Sequence, residues 1–466
     1  MMDGSAVDIT VDLLRKYDRP GPRYTSYPTA VEFDPACGEP VYRAKLAEAD
    51  AARDETLSLY VHIPFCEQRC HYCGCNVVIT RKREIAAKYL EYLHREIDML
   101  AERLPHRRRV SQCHWGGGTP TYLSPAQIRA LWEKITEHFT IEPGAEVAVE
   151  VDPRVTSREQ LALFRELGFN RISMGVQDFT PSVQAAVHRN QTEAQTREMY
   201  RACRELGFAS VNFDLIYGLP EQTPESFRRS MEAVVELRPD RVAVYSFAYV
   251  PWMRAQQKYI DVERLPAPEV KLLLFGIARD TLLSAGYVPI GMDHFALPGD
   301  EMVAAMLRGR LGRNFMGYTV RLGSDMVGVG VSSIGDVRGC MPQNVKKLSR
   351  YYEALDAGRL PVERGCLLDR DDEIRRAVIL SLMCNFTLDV AEIERRFGID
   401  FAAYFAPELA ELRAPDGPVG HGFAEVAPDR IRVVGCGRLF VRNVCMIFDR
   451  YLRRKTGGAP VFSQTV

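Results

Sequence analysis

Between about residue 56 and 248 the sequence switches six times between a short β-rich run and a longer amphipathic stretch, and no other feature restricts the fold as much. TLSLYVHIPF, SQCHW, AEVAVEVDP, RISMGVQDF, SVNFDLIYGLP and DRVAVYSFAYV read as strands. Between them, AAKYLEYLHREIDMLAERL, PAQIRALWEKITEHF, SREQLALFRELGF, TEAQTREMYRACRELGF and TPESFRRSMEAVVEL carry apolar residues at helical spacing. Ser124 and Pro125 supply a cap and a first-turn proline, and Gly168 marks a helix end. Strands alternating with helices pair in parallel, because each helix crosses back over a sheet face. A span of about 190 residues is short of the ~250 of a closed eight-unit barrel. The predicted fold is therefore α/β: a partial, six-unit TIM-like (β/α)6 barrel.

The chemically suggestive residues keep one phase with respect to these strands. The cysteine-rich stretch and GGGTP, EVDP, GVQDF, DLIYGLP and FAYVP all follow strands. They lie on the loops at the C-terminal ends, where β/α folds build their sites. Residues 249–340 read as an extension, and from about 370 DDEIRRAVILSLMCNFTLDVAEIERRF is helical. DRIRVVGCGRLFVRNVCMIFDRYL then reads as a hairpin followed by a helix. The expected organisation is an N-terminal arm (1–55), a barrel plus extension (56–365) and a small, mainly helical C-terminal domain (366–466).

Charge excludes some partners. Sixty basic and 61 acidic residues leave a formal charge of −1, so no global field recruits nucleic acid or an acidic membrane. Any anionic ligand must meet local arginines. The opening MMDGSAVDITVDLLRKYDRP lacks the apolar core of a signal peptide, and no run approaches the roughly 18 apolar residues of a membrane span. The expected compartment is the cytoplasm, where structural disulfides are disfavoured. Eight of the twelve cysteines are scattered and read as buried thiols.

The other four, Cys66, Cys70, Cys73 and Cys75, fall within HIPFCEQRCHYCGCNV. The first three form C-x3-C-x2-C directly after a strand, a spacing that lets three thiolates converge on one inorganic body. A [4Fe–4S] cluster takes four cysteines as a rule. Three would leave one iron open to a substrate or cofactor, as catalytic metal sites require. A structural zinc site would pair with a second, distant C-x2-C, which the sequence lacks. A thioredoxin-like role for Cys70 and Cys73 would leave Cys66 unexplained.

C-x3-C-x2-C behind a first barrel strand resembles the radical S-adenosylmethionine (SAM) enzymes. Longer strings, GPRYTSYPTA, YVHIPFCEQRCHYCGCN, HWGGGTPTYL, GMDHFALP, GRNFMGYT and MCNFTLD, resemble the oxygen-independent coproporphyrinogen III oxidases, and the similarity spans nearly the whole chain. The resemblance implies a [4Fe–4S] cluster held by Cys66, Cys70 and Cys73, with SAM on its unique iron. It implies reductive cleavage of SAM to methionine and a 5′-deoxyadenosyl radical, which removes a hydrogen from the β-carbon of a propionate. Loss of CO2 and one electron then leaves a vinyl group, and two such events turn coproporphyrinogen III into protoporphyrinogen IX.

By the same resemblance, Tyr60, Gly117, Gly118, Thr119, Glu150, Gln177, Arg189, Asp214, Ala248 and Ile334 contact SAM. Two SAM molecules are implied, and Tyr72, Gly118 and Thr119 match positions associated with the second. Cys75 matches an additional cysteine needed for activity but not for holding the cluster. It also separates the chain from similar haem chaperones without oxidase activity, which are the alternative reading. One departure stands out: Met316 occupies the place of a glutamine, and a thioether cannot supply an amide's donors and acceptor. Arg19 and Arg23, beside Tyr24 and Tyr27, are candidates for the substrate's carboxylates on an N-terminal arm expected to cover the site. An electron donor such as flavodoxin and a monomeric state complete what the resemblance implies.

Overall fold

The structure, a computed structural model, describes residues 13, 16–321, 325–454 and 462. The chain divides into two compact units. The larger comprises Phe33–Ala285 and Arg321–Leu367, the smaller Met1–Glu32, Gly286–Val320 and Leu368–Val466. These units do not follow the expected division at 55/56 and 365/366. Residues 33–55 belong with the β/α region, and 286–320 belong with the C-terminal region.

In the larger unit the six predicted strands are present in order: β1 (Leu57–Ile63), β2 (Arg109–Gly117), β3 (Thr140–Val151), β4 (Arg171–Gln177), β5 (Ser210–Tyr217) and β6 (Arg241–Ser246). Each pairs in parallel with the next. This is the partial (β/α)6 barrel expected from the alternation. A seventh parallel strand, β7 (Asp325–Val329), lies on the other side of β1, in register from Leu57↔Asp325 to Val61↔Val329. It comes from the glycine-rich stretch assigned to the extension. Five residues with Gly328 among them carry too little alternation to declare a strand.

The main helices of this unit precede, separate and follow these strands, and local chemistry sets where several of them start. They are α1 (Glu39–Asp50), α2 (Arg83–Arg103), α3 (Pro125–His138), α4 (Arg158–Glu166), α5 (Glu193–Glu205), α6 (Pro224–Leu237) and α7 (Pro268–Ser284). Four of them open on reciprocal capping boxes: Ser124 with Gln127, Ser157 with Gln160, Thr192 with Gln195 and Thr223 with Ser226. Each cap contributes about 1 kcal/mol and fixes where the preceding loop ends. Under α3 and α4, the fully buried Trp115 of β2 meets Phe164 and Phe169 edge-on at 6.0 and 5.2 Å. At the opposite end of the sheet the buried Arg107 pairs with Asp325 and donates to Glu55 O at 3.1 Å and Thr56 O at 3.0 Å. That one guanidinium fastens the start of β7 beside the start of β1.

The smaller unit is mainly helical, built around α8 (Arg370–Asn385), which Asp369 caps through the N–H of Asp372. An antiparallel sheet orders Thr387–Asp389, Arg430–Val433 and Ala424–Val426. The hairpin therefore turns before Arg430, with only one of its strands in DRIRVVGCGR; a 3-10 turn, Gly435–Phe440, follows. Tyr24 and Tyr27 are buried in this unit's core, and the Tyr24 hydroxyl donates to Asp449 Oδ2 at 2.9 Å. Arg23 pairs with Asp293, itself bonded to His294 Nδ1 at 2.7 Å. Both tyrosines and Arg23 thus have structural partners within their own unit. Among the described residues no helix is long and apolar enough to cross a membrane.

Candidate active site

The residues singled out from sequence for the cluster and SAM lie in the larger unit, on or after its strands; Met316, Arg19 and Arg23 belong to the smaller one. β1 runs into the cysteine loop through Tyr60 and His62. Asn76 O can only accept, so His62 Nε2 carries the proton at 3.1 Å, and Nδ1 accepts from the Tyr60 hydroxyl at 3.0 Å. Burial lowers the His62 pKa and keeps the ring neutral for this role. One imidazole thus joins Tyr60 to the far end of the loop that carries Cys66, Cys70, Cys73 and Cys75.

Beneath that loop, GGGT leaves no room for side chains. Gly117 has φ +114°, and a Cβ there would lie 2.5 Å from His62 Cε1. A Cβ on Gly118 would lie 2.6 Å from the backbone of Pro64 and 2.8 Å from Phe65 O. Gly118 N and Thr119 N donate to Ile63 O and Phe65 O at 2.8 and 2.9 Å. The glycines are therefore the floor on which the cysteine loop rests, whatever else they touch.

The thiols have different surroundings. Cys66 Sγ lies 3.4 Å from Thr119 Oγ1, and burial pushes its thiol up to about 12. Cys70 Sγ accepts from Arg154 Nη2 at 3.7 Å and Arg189 Nη1 at 3.8 Å. Cys73 Sγ accepts from the Cys75 backbone N–H at 3.4 Å; the Cys75 thiol and then this N–H pull Cys73 down to about 6, against burial. Cys75 is the exposed member of the four and acts here through its thiol as well as its amide. Among the described residues no three His, Cys, Asp or Glu side chains converge on one ion-sized point. A polynuclear cluster spreads its ligands over several metal atoms and does not require that. Three thiols on one loop, backed by glycine backbone and two guanidiniums, fit such a cluster.

Around them stand the other candidates. Glu150, ending β3, accepts from Gly117 N at 3.1 Å and pairs with His114 Nε2 at 3.1 Å. Burial opposes its charge, but His114 and Gly117 outweigh it and hold the carboxyl below the usual range. Tyr60 stacks on His114 with ring centroids 6.0 Å apart. Gln177 adopts φ +68° at the end of β4, and Arg189 donates to Gly175 O at 2.6 Å. Asp214 on β5 accepts from Ser173 Oγ at 2.7 Å and Asn212 Nδ2 at 2.9 Å. Ile334 follows β7, its carbonyl 2.8 Å from where a Cβ on Gly328 would sit. Tyr72 packs instead against an apolar cluster containing Phe247 and Ile260.

Sequence reasoning missed the residues that hold this arrangement. Gln257 Nε2 bridges Tyr72 O at 3.4 Å and Ala248 O at 3.0 Å, and Gln256 donates to Cys73 O. His114, Asp152 and Arg154 were likewise unmarked. A polar pair in a loop and a charge beside a proline carry no periodic signal; EVDP stops short of Arg154 and marks only a strand end. A cavity of about 430 Å³ lies beside Cys66, lined by Arg83, Thr119, Asp152, Arg154 and Asn190 among others. Met316 belongs to the smaller unit. It sits at the tip of the hairpin Gly312–Asn314/Gly317–Thr319, its N–H donating to Asn314 Oδ1 at 2.9 Å.

Comparison with known proteins agrees with this geometry. The Radical SAM superfamily model matches residues 60–234, and the HemN C-terminal domain model matches 368–440. Oxygen-independent coproporphyrinogen III oxidase of Escherichia coli is 46% identical over 97% of this chain and 98% of its own length. The protein of that name from Pseudomonas aeruginosa is 45% identical over 95% of each. The solved structure of the E. coli enzyme, described as a radical SAM enzyme, superposes with a TM-score of 0.89, covering 92% of this chain and 98% of that one. With the cysteine loop, the parallel β/α sheet and the helical C-terminal region all accounted for, this chain belongs to the oxygen-independent coproporphyrinogen III oxidase family of radical SAM enzymes.

Proposed function

We propose that this chain converts two propionates of coproporphyrinogen III to vinyl groups without oxygen, releasing two CO2 and giving protoporphyrinogen IX. Each event removes one hydrogen atom, one electron and CO2 from a –CH2–CH2–COO⁻ arm and leaves –CH=CH2. The observation that carries the reading is the loop Cys66–Cys70–Cys73 seated on the GGGT floor at the end of β1, in a chain nearly half identical to oxidases of this name. A cluster bound there, with SAM, would supply the hydrogen-abstracting adenosyl radical.

The chain's own residues bind and orient. Cys66, Cys70 and Cys73 are the proposed ligands, and burial of Cys66 means that its proton leaves on binding. Glu150 keeps its charge and suits the methionine ammonium. Asp214, a carboxylate braced by Ser173 and Asn212, suits ribose hydroxyls. Tyr60, Gly117, Gly118, Thr119, Gln177, Arg189, Ala248 and Ile334 complete the proposed SAM contacts. Gly118, Thr119 and Tyr72 are proposed for a second SAM. A flavodoxin-type donor, a monomeric state and a cytoplasmic setting belong to the same proposal.

Anaerobic reconstitution with iron and sulfide tests the reading. The chain should cleave SAM to methionine and 5′-deoxyadenosine when given a reductant. Stoichiometric haem binding without SAM cleavage would contradict it. Met316→Gln, assayed alongside, measures what the thioether costs: activity confined to the Gln variant would make the natural chain a repurposed oxidase.

A further inference from the structure

EVDPRVT, residues 150–156, ends β3 and turns at once. Asp152 accepts from the Arg154 backbone N–H at 3.0 Å, which folds the arginine back over its neighbour. The Arg154 side chain then forks onto the same carboxylate, Nε at 3.0 Å from Oδ1 and Nη2 at 2.7 Å from Oδ2. From the next β/α loop Arg189 reaches Asp152 Oδ2 at 3.2 Å. One buried carboxylate thus orients two guanidiniums, and both place an N–H against Cys70 Sγ, at 3.7 and 3.8 Å. Among the described residues the hydrogen-bond donors on Cys66 and Cys73 are neutral: the Thr119 hydroxyl on one, the Cys75 thiol and amide on the other. The Cys70 sulfur is therefore the one among the three that faces positive charge through hydrogen bonds.

The resemblance assigns Arg189 to SAM and gives Arg154 no role. We propose that Arg154, held by Asp152, sets the reduction potential of the cluster by hydrogen-bonding the Cys70 sulfur. This rests on the reading that Cys70 is a cluster ligand. Reduction adds negative charge to the cluster and its thiolates. A charged donor on a ligand sulfur favours the reduced form and raises the potential. Charge-assisted hydrogen bonds are roughly twice as strong as neutral ones, so this donor outweighs those on Cys66 and Cys73. Arg154 also lines the cavity beside Cys66, so its charge lies at an edge of the site that opens outward.

The test is an anaerobic redox titration of reconstituted protein without SAM, followed by electron paramagnetic resonance, with iron and sulfide counted per chain. Arg154→Gln removes the charge and should weaken reduction about tenfold, a fall of about 59 mV for one electron. Arg154→Lys restores charge but cannot fork Asp152 and reach the sulfur together, so it should fall by less. Arg158→Gln, an exposed arginine paired with Glu205, controls for loss of one charge and should leave the midpoint unchanged. A full iron count with an unchanged midpoint in Arg154→Gln overturns the inference and leaves the cluster reading standing. Wild type without cluster iron overturns both. Should Arg154→Gln lose iron, the lysine variant decides: a lowered midpoint supports the role, and an unshifted one overturns it.

Discussion

Replacing Glu96 with glutamine should destabilise the larger unit, and more at pH 5 than at pH 8. Glu96 lies on the buried face of α2 and is 2% exposed. Its carboxyl accepts from Gly330 N at 2.7 Å, Asn344 Nδ2 at 2.6 Å and the Tyr351 hydroxyl. These contacts clamp the turn between β7 and Ile334; Val331 N, in the same turn, donates to the Tyr89 hydroxyl at 3.2 Å. Burial pushes the carboxyl up, the three donors push it down, and the balance is about 7 against an ordinary 4.5. Because the folded value is raised, the folded chain holds this proton more tightly than the unfolded one. The contribution is fully present below about pH 4.5 and is lost as pH rises through about 7, amounting to about 3 kcal/mol.

A glutamine fits the space but sets an NH2 against either Gly330 N–H or Asn344 Nδ2. Asn344 cannot flip without giving up Gly330 O and Ser333 Oγ, at 2.9 and 3.0 Å. One buried donor is then left unmatched, at a cost of about 1–3 kcal/mol against the protonated acid. At about pH 8 the wild type carries its own buried charge, so the two chains should differ little. Urea unfolding by tryptophan fluorescence reads this unit alone, since Trp115, Trp132 and Trp252 all lie in it. The same loss of stability at both pH values would refute the argument, because Glu96 would then not change its proton occupancy on unfolding.

Four further outcomes follow from the geometry. Gly118→Ala must displace backbone at Pro64 and Phe65, so iron content after reconstitution should fall with a stability loss of about 1–3 kcal/mol. Gly116→Ala meets the Glu150 carboxylate, 2.6 Å from the new Cβ, so SAM affinity by calorimetry should fall while the urea midpoint barely moves. Asp293→Asn leaves Arg23 and His294 facing an amide and should destabilise the smaller unit by about 2–4 kcal/mol. Burial opposes the Asp293 charge, but Arg23 and His294 hold its carboxyl well below the usual range, so the wild-type advantage is present above about pH 4 and fades on acidification, read by circular dichroism. Serine at Cys66, Cys70 or Cys73 should abolish cluster iron, whereas serine at Cys75 keeps the backbone N–H on Cys73 and should retain it.

The six-fold alternation made the sheet legible, because amphipathic periods and punctuation such as Ser124–Pro125 and Gly168 are local signals. β7 was not legible: its partner strand lies far back in the chain, and DMVGV has no helix beside it to declare a β/α unit. The unit boundary was hidden for a related reason. Tyr24 and Tyr27 look like surface residues of an arginine-rich arm until the C-terminal core that buries them is in view. At the site, the cysteine spacing and glycine triplet could be read directly, since close backbone approach demands glycine. Arg154, Gln257 and Glu96 could not, because each acts through a partner from a distant loop.

The most direct measurement of the central claim is the product formed from coproporphyrinogen III under anaerobic conditions. Reconstituted wild-type chain, SAM and a reductant would be incubated with the tetrapyrrole and its mass followed after oxidation to the porphyrin. The account predicts loss of two carboxyl groups with two new vinyl groups, and 5′-deoxyadenosine formed alongside. Unchanged tetrapyrrole, with the cluster intact and SAM consumed, would contradict it.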